Sequence, residues 1–320
     1  MRVAAYAHLH RTHAPSGVGQ HLIQMLGGLD RWPDVELTVI APRAQLDAAR
    51  RIPAGSPLSG VPARALPFRR RWLETMWQEL NAPKVDRWCD GADWVYTPSE
   101  AYVAAGRPRV AVTVHDMHAF ETGLPWSDTP AHRAFRRRWA RMFDRIIARA
   151  DKYLVVSHFT RRRLVELLGV DDRRIAVVGN GVDGAFFLPP DPAMAASDRE
   201  APYVTVVGGL TRRKGGDLVL AVAHELQRCM PQMRIKIAGF GEPELERRAA
   251  ALDNVELLGF VETEHLVRLL RGAVGMMLLS RYEGFGIPVL EAMAAGTPVI
   301  ASRWGALPEA VGDAGLLVDA

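Results

Sequence analysis

Short apolar runs alternate with amphipathic stretches along nearly the whole chain, and no other feature limits its possible folds so strongly. The runs fall at 3–9, 35–41, 94–96, 110–114, 153–156 and 175–178, then at 203–207, 234–238, 255–258, 275–279, 298–301 and 316–318. Strand-like and helix-like periods that alternate in this way predict an α/β architecture with parallel sheets. Several runs end in Gly or a polar residue, where a strand-to-helix loop would begin. Open sheets of this kind bind ligands outside the carboxyl ends of their strands. The alternation lapses once, over 188–202, where Pro, Ala and polar residues follow one another without periodicity. That stretch reads as a linker and predicts two domains, 1–187 and 188–320.

A chain of 320 residues with 48% hydrophobic and 24% charged residues can fill two ordinary cores. No apolar run approaches the roughly 20 residues needed to cross a bilayer, and Met1 to His8 reads as a first strand rather than a leader. Cys89 and Cys229 are the only cysteines. A disulfide framework is not expected, and a reducing, cytoplasmic setting is. Charge is uneven: residues 1–190 carry 27 Lys and Arg against 19 Asp and Glu, whereas residues 191–320 carry 13 against 17. The first half is therefore expected to meet anionic partners.

Chemistry concentrates between Ser280 and Ile300. An apolar run leads into Gly284-Phe285-Gly286, and a helical pattern leaves it with Pro288 in its first turn. A helix start presents unpaired N–H groups and a positive dipole end, which suits a phosphate. Glu283 and Glu291 flank the turn with seven residues between them. Glu291 falls one turn into the helix, and helical side chains lean toward the N-terminus. It can thus reach back and accept hydrogen bonds from paired hydroxyls such as those of a ribose. A second loop, Gly208-Gly209-Leu210-Thr211-Arg212-Arg213-Lys214-Gly215, follows the run at 203–207. Its cations could neutralise a diphosphate leaving group as a bond breaks.

Together these segments resemble the signature of family-four retaining glycosyltransferases, which use nucleotide sugars. The match is strongest from 203 to 318 and looser from 1 to 185. The resemblance implies two facing Rossmann-like domains, the fold called GT-B, with the acceptor on the first domain and the nucleotide sugar on the second. It implies that Arg213 and Lys214 hold the diphosphate and that Glu283 contacts hydroxyls of the donor sugar. Backbone amides of Phe285, Gly286 and Ile287 would face sugar and phosphate, and Glu291 the ribose. His115, in Val112-Thr113-Val114-His115-Asp116, resembles the family histidine that hydrogen-bonds the donor sugar; Asp116 is read as a cap or loop anchor. Ser16-Gly17-Val18-Gly19 resembles the family's Gly-Gly-Val-Gly loop near diphosphate and acceptor, with Ser16 in place of the first glycine. The loops at 239–242 and 258–261, including Val261, match those that line the nucleotide. Gly208 and Gly209 belong to the same donor site, although many members carry Arg where this chain has Gly209. Relatives usually continue past a segment like 314–319, so the second domain is expected to be shortened at its C-terminal end.

The expected function is transfer of a hexosyl group from a UDP- or GDP-linked donor to a glycan or lipid-linked acceptor. No cofactor and no metal are expected, since there is no Asp-x-Asp and no paired His or Cys spacing. Two alternatives stay open: a nucleotide-sugar epimerase or hydrolase on the same fold, and a non-catalytic nucleotide-sugar-binding subunit. A dehydrogenase is disfavoured because Leu22 stands where the dinucleotide fingerprint needs its third glycine. The basic stretch 133–147 has a helical period, with Phe135, Trp139, Met142, Phe143 and Ile146 on one face. It reads first as a helix packed along that face, and second as a contact for an anionic membrane or a phosphorylated acceptor, to which 68–72 would add. Peripheral contact at the inner membrane face belongs to that second reading, and nucleic acid has no motif behind it.

Overall fold

The computed structural model describes residues 1–12, 17–189 and 201–319. The expected linker at 188–202 lies mostly outside the described residues, as does Ser16. By packing, the chain forms two compact units: Met1–Thr122 with Thr129–Asn180, and Gly123–Asp128 with Gly181–Ala320. The packing boundary precedes the expected one at 187/188 because Phe186 is buried in the second unit's core beside Val267 and Leu270.

In the first unit the strands are β1 (Arg2–Tyr6), β2 (Glu36–Pro42), β3 (Ala63–Leu66), β4 (Trp94–Thr97), β5 (Arg109–Val114), β6 (Lys152–Val155) and β7 (Ile175–Val177). They pair in the order β3-β2-β1-β4-β5-β6-β7, all parallel. The helices are α1 (Gly17–Arg31), α2 (Arg70–Leu80), α3 (Pro130–Arg149) and α4 (His158–Leu168). Strand alternation divides the core between the sheet's two faces. Ala4 and Tyr6 join Trp77 and Phe143 on one face, whereas Val3 and Ala5 join Leu22 and Leu26 on the other.

The second unit repeats the plan with β8 (Tyr203–Val207), β9 (Arg234–Ala238), β10 (Val255–Gly259), β11 (Gly275–Leu278), β12 (Val299–Ser302) and β13 (Leu316–Val318). Its parallel order is β10-β9-β8-β11-β12-β13. The helices are α5 (Gly216–Cys229), α6 (Pro243–Ala250), α7 (Thr263–Gly272), α8 (Ile287–Ala294) and α9 (Leu307–Val311). β11 is buried along its whole length, as expected of a central parallel strand covered on both faces. Met276 and Leu278 face the α7–α9 side, and Met277 faces α5 and α6.

Strand order reverses direction beside β1 in the first unit and beside β8 in the second, which defines one switch point in each sheet. Two sequence expectations change. The first run continues to residue 9 in sequence, but β1 ends at Tyr6 and Leu9 starts a short 3-10 turn. β3 leaves no apolar run in the sequence, because only Leu66 of its four residues is buried.

The basic stretch is α3. Thr129 caps it through a bond from the His132 amide (3.2 Å), with Pro130 in the first turn. Phe143 and Ile146 are buried, and Trp139 and Met142 pack against the same core. The helix is thus an inward-facing element with a cationic outer face. Among the described residues, no helix is long and apolar enough to cross a membrane.

Candidate functional site

At the second unit's switch point, the loop after β8 meets the turn after β11. Backbone contact holds the two together. Arg281 N donates to Arg213 O (2.8 Å), and the Arg281 guanidinium reaches Arg212 O (3.0 Å). The same guanidinium makes a bidentate pair with Asp217 at 2.6 and 2.8 Å, a geometry that fixes orientation as well as distance. Gly215 enters α5 at φ 69°, where an added Cβ would lie 2.0 Å from Leu279 O. Gly209 is at φ 74°, and a Cβ there would lie 1.9 Å from Phe240 O. An arginine at position 209 would therefore require the two loops to move apart from this arrangement.

Three of the expected residues converge here. The Glu283 carboxylate receives Lys214 Nζ at 2.6 Å and Ser280 Oγ at 2.7 Å, and Arg213 Nη1 stands 3.6 Å away. Arg213 also donates to Tyr282 O (3.0 Å). Ser302 Oγ donates to Ser280 O (2.5 Å), and Ala306 N to Glu283 O (2.9 Å), which fixes the turn from behind. Glu283 is only 8% exposed. Burial pushes its pKa up, but the charges of Lys214 and Arg213 and the bonds from Lys214 and Ser280 outweigh that. Its carboxyl is left below the usual range. Arg212 turns away to Glu242 (3.7 Å).

Gly286 precedes α8 at φ 104°, where a Cβ would meet Leu307 Cδ2 at 2.9 Å. Phe285 and Ile287 are half-buried beside it. Glu291 lies one turn further on α8. Burial, with a smaller contribution from the Asp183 charge, raises its pKa to about 7. The loops after β9 and β10 are joined by Gly239 N to Gly259 O (2.6 Å). They expose Phe240 and Phe260, with Val261 half-buried beside them. Gly208, at φ 109°, ends β8 against the Lys214 stem.

In the first unit, His115 follows β5 and is nearly buried. Its Nε2 bonds Pro98 O (2.9 Å), and its amide donates to Glu100 Oε1 (2.5 Å). His21, on α1 two residues after Gly19, stands edge-on to it with ring centroids 4.7 Å apart. His21 bonds Asn180 Oδ1 (2.7 Å) through Nδ1 and Thr113 Oγ1 (3.3 Å) through Nε2. Burial first, then the His115 charge, lowers the His21 pKa to about 4, against the opposing Asn180 bond. Gly17 and Gly19 open α1 itself rather than a preceding loop. Asp116 anchors the following loop by accepting from His118 N (3.1 Å), and Ser157 caps α4.

A separate cavity of roughly 690 Å³ lies between the end of β2 and the start of α2, lined by Pro42, Gln45, Arg69, Arg70, Arg71 and Trp72 among others. Arg70 acts electrostatically on the Glu74 carboxylate, helping to hold it below its usual range. No group of three or more His, Cys, Asp or Glu among the described residues is placed to hold a metal.

Ser280, Arg281 and Asp217 were not singled out in the sequence. Ser280 sits three residues before Glu283 and could have been suspected from that spacing. The Arg281–Asp217 pair spans 64 residues and leaves no local trace.

Two family models match the chain: Glycosyltransferase Family 4 over residues 15–186 and Glycosyl transferases group 1 over residues 201–320. A D-inositol 3-phosphate glycosyltransferase of Acidothermus cellulolyticus is 31% identical over 89% of this chain and 70% of the relative. The Segniliparus rotundus protein of the same name is 32% identical over 54% of this chain, which spans only 42% of it. Among solved structures, sucrose-phosphate synthase from Thermosynechococcus elongatus superposes with a TM-score of 0.74 at 19% identity, covering 100% of this chain and 86% of that one. Anabaena HepE in complex with UDP and glucose superposes at 0.70 with 20% identity, again over 100% and 86%. These likenesses establish the fold as GT-B.

Proposed function

The chain belongs to the family-four, group 1 glycosyltransferases, and from that premise we propose that it moves a hexosyl group from a nucleoside-diphosphate sugar to an acceptor hydroxyl with retention of configuration. The observation that carries this reading is the convergence of Lys214, Arg213 and Glu283 at the second sheet's switch point. Two cations there suit a diphosphate, and the acid beside them suits sugar hydroxyls.

In this reading the bond between the anomeric carbon and the β-phosphate oxygen breaks while the acceptor oxygen attacks from the same face. The acceptor proton passes to the departing phosphate. Lys214 and Arg213 stabilise the charge that develops on the diphosphate. Glu291 accepts from the ribose hydroxyls, and Glu283 holds the donor sugar. No residue is assigned as general base.

The acceptor is proposed to carry a phosphate. The 690 Å³ cavity with Arg69, Arg70 and Arg71 supports this choice, since clustered guanidinium groups bind phosphate through paired N–H donors. The D-inositol 3-phosphate named for two relatives is an acceptor of that class.

A thermal-shift screen of UDP-, GDP-, ADP- and dTDP-sugars tests the donor assignment, because a ligand that binds the folded state raises its melting point. One nucleotide class should raise the wild-type Tm and leave the Arg213→Ala plus Lys214→Ala double variant unmoved. If no donor shifts the wild type, or both proteins shift equally, the diphosphate assignment is wrong.

A further inference from the structure

We propose that Glu283 is an exchange partner for the donor: its carboxylate occupies the cation site, and an arriving diphosphate takes Lys214 and Arg213 from it. Glu283 is thereby released toward the sugar only once the diphosphate is bound. This rests on the diphosphate reading above and adds to it an order of contacts that couples recognition of the two ends of the donor.

The charges around the loop carry the inference. Arg212 has its own acid in Glu242, and Arg281 has Asp217. Arg213 and Lys214 share one carboxylate, Glu283. The two cations that face the switch point are therefore partly neutralised from within the chain. Lys214 makes its short contact to the same oxygen, Oε1, that Ser280 holds at 2.7 Å. An incoming diphosphate and the Glu283 carboxylate are like charges, and they cannot both stand against Lys214 without repulsion in a site so little open to water. One must yield. Diphosphate carries more charge than a carboxylate and presents more acceptor oxygens, so it takes the ammonium.

An affinity cost follows, because part of the diphosphate's attraction is used to displace an internal anion. Replacing Glu283 with the isosteric, uncharged Gln removes the competitor while keeping a hydrogen-bond acceptor for Lys214 and Ser280. The variant should bind nucleoside diphosphate more tightly, on the order of tenfold, and should lose turnover because the sugar contact is gone. Nucleoside monophosphates, which lack the second phosphate, should bind both proteins equally.

Isothermal titration with UDP, GDP and ADP, and with UMP, GMP and AMP, on wild type, Glu283→Gln, Ser280→Ala and Lys214→Ala tests this. Thermal melts establish that each variant is folded. Expected is tighter diphosphate binding by Glu283→Gln and a smaller shift in the same direction for Ser280→Ala, which loosens the carboxylate without removing it. Should Glu283→Gln not fold, Ser280→Ala carries the test. Diphosphate binding that is unchanged or weaker in the acid variants, with Lys214→Ala impaired, overturns the exchange and leaves the diphosphate site standing. Equal diphosphate binding by Lys214→Ala and wild type overturns the site itself. Binding of no diphosphate by either wild type or Glu283→Gln overturns both.

Discussion

Lys214→Ala should lower turnover by about two to three orders of magnitude, the usual cost of deleting one well-placed donor at developing negative charge. Of the two cations, Lys214 is expected to matter more. Its Nζ approaches Glu283 to 2.6 Å with a side chain 14% exposed, against 3.6 Å and 32% for Arg213. Lower exposure means less water to screen it, so its charge acts at greater strength. The same change should destabilise the fold. Removing one partner of a buried pair costs about 3–5 kcal/mol when the remaining charge is wholly stranded. Arg213 and Ser280 still serve Glu283, so the expected loss lies at or below the lower end. The pH dependence has a definite sign. The Glu283 pKa is depressed in the folded protein, so its contribution is present above the unfolded carboxylate value and is lost as pH falls through the folded one. Lys214→Ala raises the folded value and should begin to lose stability at a higher pH than wild type. Steady-state kinetics together with denaturation across pH 3–7 measure both effects. Turnover within a factor of about three of wild type would remove Lys214 from the chemistry.

Glu291→Gln should make the protein more stable at pH 8 while weakening donor binding. Burial, and to a lesser extent the Asp183 charge, raise the folded pKa of Glu291 from the ordinary carboxylate range to about 7. For a raised carboxyl the contribution is fully present below the unfolded value and is lost as pH rises through about 7. At pH 8 the wild type therefore holds an ionised acid in surroundings that disfavour it, at a cost on the order of 3 kcal/mol. Glutamine carries no such charge, so the gain should appear at pH 8 and vanish near pH 4. Donor binding should move oppositely. A carboxylate accepts ribose hydroxyls better than an acid does, and losing a hydrogen bond to a charged group costs about 1.5–3 kcal/mol, or roughly 10- to 100-fold in affinity. Wild-type affinity should rise with pH through about 7, and the variant's should be flat. Chemical denaturation and donor titration at pH 5, 7 and 8 decide it. A variant no more stable than wild type at pH 8 would show that Glu291 is not held ionised against its surroundings. An acid kept at a cost to the fold is what a binding site with work for it looks like.

How far the sequence could be read depended on the range of each interaction. Parallel sheets covered on both faces declare themselves as apolar runs, so β8 and β11 stand out in the bare sequence. β3, exposed along an edge, does not. The Glu283 turn was legible because glycines, a proline and two acids fall within a dozen residues. The partners that fix it come from elsewhere: Asp217 on α5 and Gly305 beyond β12, where a Cβ would crowd Glu283 O at 2.6 Å. His115 could be picked out from its place at a strand end. Its companion His21 could not, because the two are 94 residues apart and meet only when α1 packs beside β5. Pairing of Lys214 and Arg213 with Glu283 was equally invisible. Sequence presents the cations and the acid as separate donor contacts, and only side-chain geometry shows that they already hold one another.

The backbone contacts at Gly209, Gly215 and Gly305 have a consequence for how this site can vary. Each is a place where two loops touch main chain to main chain, with no volume left for even a methyl group. Charges at the site can be exchanged for others, and a lineage could explore new sugars or new acceptors through them. The three glycines are different, since in this backbone a Cβ at any of them would push one loop off the other before any ligand is involved. In this chain, then, substitutions that leave the site's geometry in place are those in the side chains the loops carry, not in the three glycines at which the loops meet.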